Sequence, residues 1–187
     1  MQRKKVGPLL SNMILPGSTI GIIGGGQLGQ MLALDAKQTG MKVIILDPTP
    51  QCPAGQVADE QIVAPYEDRH AIDQLAQRSD VLTYEFENVD LAALKEVAQT
   101  AYLPQGTQLL FTTKDRLREK TFLSQAGLKT APFLPVHNKK ELLAGVRQLG
   151  LPCVLKTSEG GYDGHGQQVL HSQADLAKCD AILTSHN

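Results

Sequence analysis

The sequence has no tryptophan, few aromatic residues and almost no net charge. Its 187 residues include four tyrosines and four phenylalanines, and 18 basic side chains face 19 acidic ones, for a net charge of −1. Without a basic surplus or aromatic stacking platforms, the chain does not fit a nucleic-acid-binding protein. It also lacks an apolar run of roughly 18 residues, the length that a membrane helix requires.

Cysteine is scarce as well. Cys52, Cys153 and Cys179 are odd in number and widely spaced, and no C-x-x-C pair is present to bind zinc or exchange disulfides. This usage favours a reducing compartment, so we expect a cytoplasmic protein. Residues 1–13 begin with basic side chains, but the apolar stretch that follows is too short and interrupted for a signal peptide. We interpret them as an N-terminal extension.

Strands and helices alternate over residues 14–112. Short apolar runs predict strands at 19–23, 42–47 and 81–85, and residues 60–63 are interpreted as a short strand, the third along the chain. Helical spacing of apolar residues predicts helices between them, with Gly40 ending the first and Asp90 capping the last. This alternation is typical of an open, parallel, Rossmann-like α/β sheet with right-handed crossovers.

The pattern changes near residues 112–116, where we place a domain boundary. Thr113 is predicted to cap a helix that runs to Gly127, and residues 139–149 form an amphipathic helix. Strand-like runs at 152–156 and 167–171 are joined by ten glycine-rich residues. Because this connection is too short for a crossover helix, it predicts an antiparallel hairpin and an α+β domain over residues 113–187.

The first glycine-rich segment, Gly24-Gly-Gly-Gln-Leu-Gly29, matches G-x-G-x-x-G directly after a predicted strand. Such a turn brings an anion close to a helix N-terminus. Asp47 ends the second strand, where a dinucleotide enzyme holds its ribose. The segment is therefore compatible with an NAD-dependent oxidoreductase, with another phosphate-binding protein or non-catalytic module, or with a tight turn that binds nothing.

The second glycine-rich segment follows Lys156 and runs from Gly160 to Gly166. Its backbone N–H groups can fold over an anion, and the lysine adds a compact positive charge for phosphate oxygens. A strand, glycine loop and strand with an adjacent lysine suit a triphosphate better than hydride transfer. A long hairpin loop can also be glycine-rich for no chemical reason.

Five motifs occur together in the order seen in one enzyme family. They are Gly25-Gly-Gln-Leu-Gly-Gln-Met31, Thr83-Tyr-Glu-Phe-Glu-Asn88, Asp115-Arg-Leu with Lys120, Ala131-Pro132, and Lys156 followed by Gly160-Gly-Tyr-Asp-Gly-His-Gly-Gln167. From residue 14 to about 180 the chain resembles the N5-carboxyaminoimidazole ribonucleotide synthase family of ATP-grasp ligases. The resemblance implies a pre-ATP-grasp domain followed by part of an ATP-grasp domain.

The same resemblance implies an ADP-forming carbon–nitrogen ligase of purine biosynthesis. ATP would phosphorylate bicarbonate to carboxyphosphate, which would carboxylate 5-aminoimidazole ribonucleotide to the N5-carboxy product. Mg²⁺ is expected to accompany ATP. A ligase of the same superfamily acting on glycinamide ribonucleotide remains an alternative, as does the oxidoreductase.

The resemblance also assigns candidate site residues. Those expected to bind ATP are Arg116, Lys156, Gly161, Tyr162, Asp163, Gly164, His165, Gly166 and Gln167. Those expected to face the ribonucleotide are Gly26, Gln27, Leu28 and Glu85. Lys120 and His171 are interpreted as structural or surface residues. Ser158 and Glu159 depart from the arginines common in relatives, and the acid is expected to weaken the field around the phosphates.

In this family the Mg²⁺-binding acidic residues follow later in the chain, so no metal ligand is expected within these 187 residues. We therefore expect an N-terminal portion that does not turn over by itself and whose catalytic residues lie further on. The family also implies a homodimer when the enzyme is full length.

Overall fold

A computed structural model describes residues 13–161 and 164–184 of the chain. The chain divides into two compact units, Met1–Leu109 and Leu110–Asn187, here called unit 1 and unit 2. Almost all of the predicted N-terminal extension, residues 1–12, lies outside the described residues. Within the described part, no helix combines the length and the apolar character needed to span a membrane.

Unit 1 contains a four-stranded parallel sheet. Its strands are β1 (Thr19–Ile23), β2 (Lys42–Leu46), β3 (Glu60–Ile62) and β4 (Val81–Tyr84), in the spatial order β3-β2-β1-β4. All three pairings are parallel. The carboxyl ends of β1, β2 and β4 therefore meet at one edge, where the loops that follow them converge. The predicted open α/β sheet is confirmed.

Three helices connect these strands or follow them. They are α1 (Gln27–Gln38), α2 (Arg69–Gln77) and α3 (Leu91–Val97). The carboxylates of Asp68 and Asp90 cap α2 and α3 by accepting hydrogen bonds from backbone N–H groups three residues later. The Asp90 cap was predicted and is confirmed.

The core of unit 1 surrounds β1 and β2, which are apolar on both faces because helices cover both sides of a parallel sheet. Ile22, Ile23, Ile45 and Leu46 are at most 1% exposed. The helices contribute Ala33, Ile72, Leu75 and Leu94, all fully buried. Each large buried side chain contributes about 1.5–3 kcal/mol relative to exposure. This packing fixes the positions from which the loops of the carboxyl edge begin.

Unit 2 is built on a two-stranded antiparallel hairpin. Its elements are α5 (Arg116–Gln125), α6 (Lys139–Leu149), β5 (Cys153–Lys156), β6 (Gln167–Leu170), a 3₁₀ helix (Gln173–Lys178) and α7 (Asp180–Thr184); α4 (Gln108–Thr113) precedes them. Leu142, Val146, Leu155, Leu170 and Leu176 form its core. The predicted hairpin and amphipathic helix are confirmed.

The expected helix from Thr113 to Gly127 is wrong at its start. Thr113 is the last residue of α4, and α5 begins only at Arg116. The carboxylate of Asp115 accepts a hydrogen bond from the Arg118 N–H at 2.8 Å, so Asp115, not Thr113, is the N-cap. The Arg116 N–H donates outside the helix to the Ser158 carbonyl, 2.8 Å away. These bonds fix the helix start next to the glycine-rich loop.

Candidate functional site

The glycine-rich turn between β1 and α1 is packed too tightly for side chains. Gly24 has φ +109°, and a Cβ there would lie 2.4 Å from Cγ of Glu85. A Cβ on Gly29 would lie 2.3 Å from the Gly24 carbonyl oxygen. Both glycines are thus needed for the turn itself. The turn places the N-terminus of α1 at the carboxyl edge of the sheet.

Gly26, Gln27 and Leu28 form this helix N-terminus. Gly26 is the N-cap residue, and within the described residues no side chain caps α1. Gln27 and Leu28 are exposed. The first N–H groups of a helix have no intrahelical acceptor, and the helix dipole favours an anion beside them. The three predicted substrate-facing residues are therefore together at an anion-binding position.

Glu85 follows β4 and lies against the same turn. Its carboxylate lies beside Gly26, whose backbone lowers the pKa of Glu85 and so opposes the effect of burial. Burial nevertheless raises the pKa of Glu85 above its ordinary value of 4.5, and the negative charges of Asp47 and Glu87 add to the rise. The strand was expected to extend to Glu85, but β4 ends at Tyr84, so Glu85 lies in the segment that follows the strand.

Asp47 has a different role from the one that its position after β2 suggested. It is 5% exposed, and its carboxylate accepts three hydrogen bonds: from the Gly25 N–H at 2.8 Å, the Thr49 N–H at 2.8 Å and the Tyr66 hydroxyl at 2.5 Å. A carboxylate that binds a dinucleotide ribose must face the ligand. Because Asp47 is buried and satisfied by the protein, this arrangement disfavours the oxidoreductase hypothesis.

In unit 2, Lys156 lies on the open face of the hairpin. Leu155 points into the core, so its neighbours Val154 and Lys156 face the other way. Val154 pairs directly with Val169 across the hairpin, and Lys156 pairs with Gln167. Val154 is 48% and Val169 38% exposed. One face therefore combines an apolar pair with the lysine and glutamine predicted to bind ATP.

Two arginines of α5 hold the loop that follows Lys156. A guanidinium nitrogen of Arg116 donates to the Gly161 carbonyl. A guanidinium nitrogen of Arg118 lies 3.2 Å from a carboxylate oxygen of Glu159, and this guanidinium also lies over the Phe111 ring, 4.2 Å from its centre. The expectation that Glu159 weakens the local field is therefore incomplete, because Arg118 compensates its charge.

The loop closes around a buried hydroxyl. The Thr157 N–H donates to the Gly166 carbonyl at 2.8 Å. A Cβ on Gly161 or Gly166 would lie 2.9 or 2.6 Å from Oγ1 of Thr157. Among the described residues this oxygen is buried without a hydrogen-bond partner. Gly164 and His165 are exposed, whereas the predicted ligands Tyr162 and Asp163 lie outside the described residues.

Lys120 has contacts that account for it structurally. Its ammonium nitrogen is 3.4 Å from the Ala131 carbonyl oxygen and 5.4 Å from the centre of the Phe133 ring. No group of three or more His, Cys, Asp or Glu side chains that could hold a metal occurs in residues 13–161 and 164–184.

Sequence reasoning missed Tyr66, Arg118, Val154 and Val169. Only the alternation around Lys156 could have indicated the two valines.

Comparisons with known proteins agree with this geometry. Residues 17–112 match the family model of the ribonucleotide synthetase preATP-grasp domain, and residues 121–187 match that of the ATP-grasp domain. The chain is 52% identical over 171 residues to N5-carboxyaminoimidazole ribonucleotide synthase of Bacillus subtilis, covering 91% of this chain and 45% of that protein.

Solved structures show the same similarity. N5-carboxyaminoimidazole synthetase from Staphylococcus aureus complexed with ADP superimposes with a TM-score of 0.88 at 43% identity, covering 92% of this chain and 46% of that one. The synthase from Aspergillus clavatus in complex with ADP and 5-aminoimidazole ribonucleotide gives 0.78 at 31% identity, covering 90% and 44%. The chain spans about half the length of the curated relatives it matches. With more than half of its residues matched by the family model and close homologues named N5-carboxyaminoimidazole ribonucleotide synthase, the chain belongs to the ribonucleotide synthetase preATP-grasp family.

Proposed function

We propose that this chain supplies the ribonucleotide site and part of the ATP site of an ATP-grasp ligase. The reaction is the ATP-dependent carboxylation of 5-aminoimidazole ribonucleotide by bicarbonate, giving N5-carboxyaminoimidazole ribonucleotide, ADP and phosphate in purine biosynthesis. The observation that carries the proposal is the hairpin face on which Lys156 adjoins the Val154–Val169 pair. A nucleotide needs such a combination of an apolar surface for its base and a cation for its phosphates.

The loop after Lys156 suits the phosphates. Gly161 and Gly166 pack so closely on the buried Thr157 hydroxyl that a Cβ on either glycine would collide with it, and this packing holds the loop backbone beside Lys156. Arg116 holds the Gly161 carbonyl with one of its five N–H donors and has others to offer a phosphate. In this proposal, Arg116 and Lys156 neutralise charge on the transferred phosphoryl group, and residues 161–167 exclude water from carboxyphosphate.

Mg²⁺ would neutralise further phosphate charge when bound with ATP. The described residues contain no cluster of three or more ligands for it, so they do not fit a complete metal site. No step proposed for this chain's own residues depends on the metal.

The ribonucleotide is assigned to unit 1. The α1 N-terminus, with Gly26, Gln27 and Leu28, offers backbone N–H groups to an anionic or carbonyl-like part of the ligand. Glu85 offers a carboxylate to donors such as ribose hydroxyls or the amine that is carboxylated. A ligand donor bound there would offset the cost of burying the Glu85 carboxylate.

Three further features belong to this proposal. The domains are residues 14–112 and 113–187, close to the compact units Met1–Leu109 and Leu110–Asn187. The full-length enzyme is a homodimer. It acts in the cytoplasm, where the three free thiols Cys52, Cys153 and Cys179 stay reduced.

Isothermal titration of the 187-residue chain tests the ribonucleotide site. 5-Aminoimidazole ribonucleotide is expected to bind at least tenfold more tightly than glycinamide ribonucleotide, since tenfold corresponds to 1.4 kcal/mol of discrimination. NADH is expected not to bind. Equal affinity for the two ribonucleotides would favour the related ligase, and tight NADH binding would favour the oxidoreductase.

Titration with a non-hydrolysable ATP analogue tests the second site. Replacing Lys156 by methionine removes one charge-assisted contact, worth about 1.5–3 kcal/mol, and should weaken analogue binding at least tenfold. Lys140→Met, on an exposed position of α6, is the matched control and should leave the affinity unchanged. An analogue that binds both variants equally would contradict the role of Lys156.

A further inference from the structure

We propose that Tyr66, acting through Asp47, is a positioning residue for the ribonucleotide site. It does not touch the ligand in this inference; it fixes the shape of the turn at Gly25 and links that turn to the segment that carries Glu85. The inference rests on the proposed function, because it concerns the same site.

Both backbone groups of Gly25, the N–H and the carbonyl, form hydrogen bonds. Its N–H donates to the carboxylate of Asp47 at 2.8 Å, and its carbonyl accepts the Ala54 N–H at 2.9 Å. The residue immediately precedes Gly26, the N-cap of α1. Since both groups are fixed, the orientation of the peptide that leads into the helix N-terminus is set before any ligand arrives.

Asp47 is held in turn by Tyr66. The Tyr66 hydroxyl donates to Oδ2 of Asp47, the same oxygen that accepts the Gly25 N–H. Oδ1 of Asp47 accepts the Thr49 N–H at 2.8 Å. With two donors on Oδ2 and one on Oδ1, rotation of the carboxylate would break several bonds at once. Burial and the negative charge of Asp47 raise the pKa of Tyr66 well above its usual range, so the hydroxyl remains a donor.

Tyr66 also reaches the far side of the site. Its ring packs edge-to-face on Phe86, with ring centres 4.7 Å apart, and Phe86 is next to Glu85. Strands β2 and β4 do not touch, because β1 lies between them. Tyr66 therefore spans the carboxyl edge from the end of β2 to the segment after β4. Gly25 and Phe86, the residues next to the two halves of the proposed ribonucleotide site, contact Asp47 and Tyr66 respectively.

A purely structural tyrosine would behave differently. Removing its hydroxyl would lower the stability of unit 1 without a separate effect on ribonucleotide binding. Tyr84 provides the comparison, because its hydroxyl donates to the Gly106 carbonyl at 2.9 Å in the same unit. Tyr66→Phe and Tyr84→Phe each delete one tyrosine hydroxyl and keep the ring.

The experiment compares these two variants with the wild-type chain in three measurements. The affinity for 5-aminoimidazole ribonucleotide should fall about tenfold in Tyr66→Phe, corresponding to 1.4 kcal/mol, and should not fall in Tyr84→Phe. The affinity for the ATP analogue should not change in either. Without ligand, hydrogen exchange at the Gly25 and Glu85 amides should accelerate in Tyr66→Phe only.

The outcomes separate the inference from the proposed function. If the wild-type chain does not bind the ribonucleotide, the proposed function fails, and the exchange rates still decide whether Tyr66 positions the turn. Unchanged exchange and unchanged ribonucleotide affinity in Tyr66→Phe would overturn the inference. So would an equal loss of affinity in Tyr84→Phe, because the effect would then follow stability alone.

Discussion

Replacing Gly25 by alanine tests whether the turn at the sheet edge is as closely packed as its geometry requires. The added Cβ would lie 2.3 Å from Sγ of Cys52 and 2.8 Å from Cβ of Asp47. Carbon atoms in contact are normally about 3.5–4.0 Å apart, so the neighbours would have to move by about 1 Å or more. Cys52 is 2% exposed, its sulfur accepts the Gly55 N–H, and three hydrogen bonds hold Asp47.

The expected cost follows from this lack of freedom. Overpacking a filled core costs about 1–3 kcal/mol, and we expect Gly25→Ala to fall near the upper end, about 3 kcal/mol. Gly26→Ala is the matched control. Gly26 has φ −69°, and its Cβ would meet only a carboxylate oxygen of Glu85, at 3.4 Å. We expect its free energy of unfolding to fall by only about 1 kcal/mol, the cost of placing alanine at an N-cap.

Urea denaturation followed by tyrosine fluorescence measures the effect, because Tyr66, Tyr84 and Tyr102, three of the four tyrosines, lie in unit 1. A double-mutant cycle identifies the cause. In a Cys52→Ala background the shorter contact is gone, so Gly25→Ala should cost about 1 kcal/mol less than in the wild type. A cost unchanged by Cys52→Ala, or equal costs for Gly25→Ala and Gly26→Ala, would show that packing of the added Cβ against Cys52 and Asp47 is not the cause.

Three further results are expected. Burial raises the pKa of Glu85 in the folded chain, so the free energy of unfolding should decrease as the pH rises from 4.5 through the raised pKa. In urea titrations, Glu85→Gln should show a weaker pH dependence than the wild type and should be more stable than the wild type at pH 7. A double-mutant cycle on Arg118 and Glu159 should give about 0.2–1 kcal/mol of coupling that declines with added salt, and zero coupling would reject their ion pair. Leu155→Ala should destabilise unit 2 by about 2–5 kcal/mol, whereas Val154→Ala, on the open hairpin face, should cost under about 1; similar losses would contradict the assignment of faces.

The sheet of unit 1 could be predicted because its signals are local. Strands β1, β2 and β4 are short, mostly apolar runs; Gly24 follows the first, and Asp47 and Pro48 follow the second. Asp90 was recognisable as a cap because capping needs only its own side chain and a nearby N–H. The cap of α5 was predicted at Thr113 but is Asp115, and the Arg116 N–H beside it donates to the Ser158 carbonyl, a distant partner that no local sequence pattern indicates.

The sequence motifs indicated which segments form the candidate site, but not which side chains contact each other within it. The motifs located Glu85 and Lys156 beside the two glycine-rich loops. The role of Asp47 depends on Tyr66, which returns to the sheet edge from beyond β3, and no sequence spacing encodes that return. Likewise, Glu159 looked unfavourable because its partner Arg118 is 41 positions away in the chain. Charge compensation over such separations becomes visible only in the fold.

Each of the two glycine-rich loops is held in one conformation by a charged side chain, and the two side chains have opposite charges. Ordering a loop residue costs about 1–2 kcal/mol, and glycine loses the most freedom. In unit 1 a buried carboxylate, Asp47, fixes the N–H of Gly25, whereas in unit 2 the guanidinium of Arg116 fixes the carbonyl of Gly161. The first anchor is 5% exposed, but the supporting Arg118–Glu159 pair is 36% and 41% exposed. Salt screens exposed pairs far more than buried ones. Raising the ionic strength should therefore loosen the loop of unit 2 while the turn of unit 1 stays ordered.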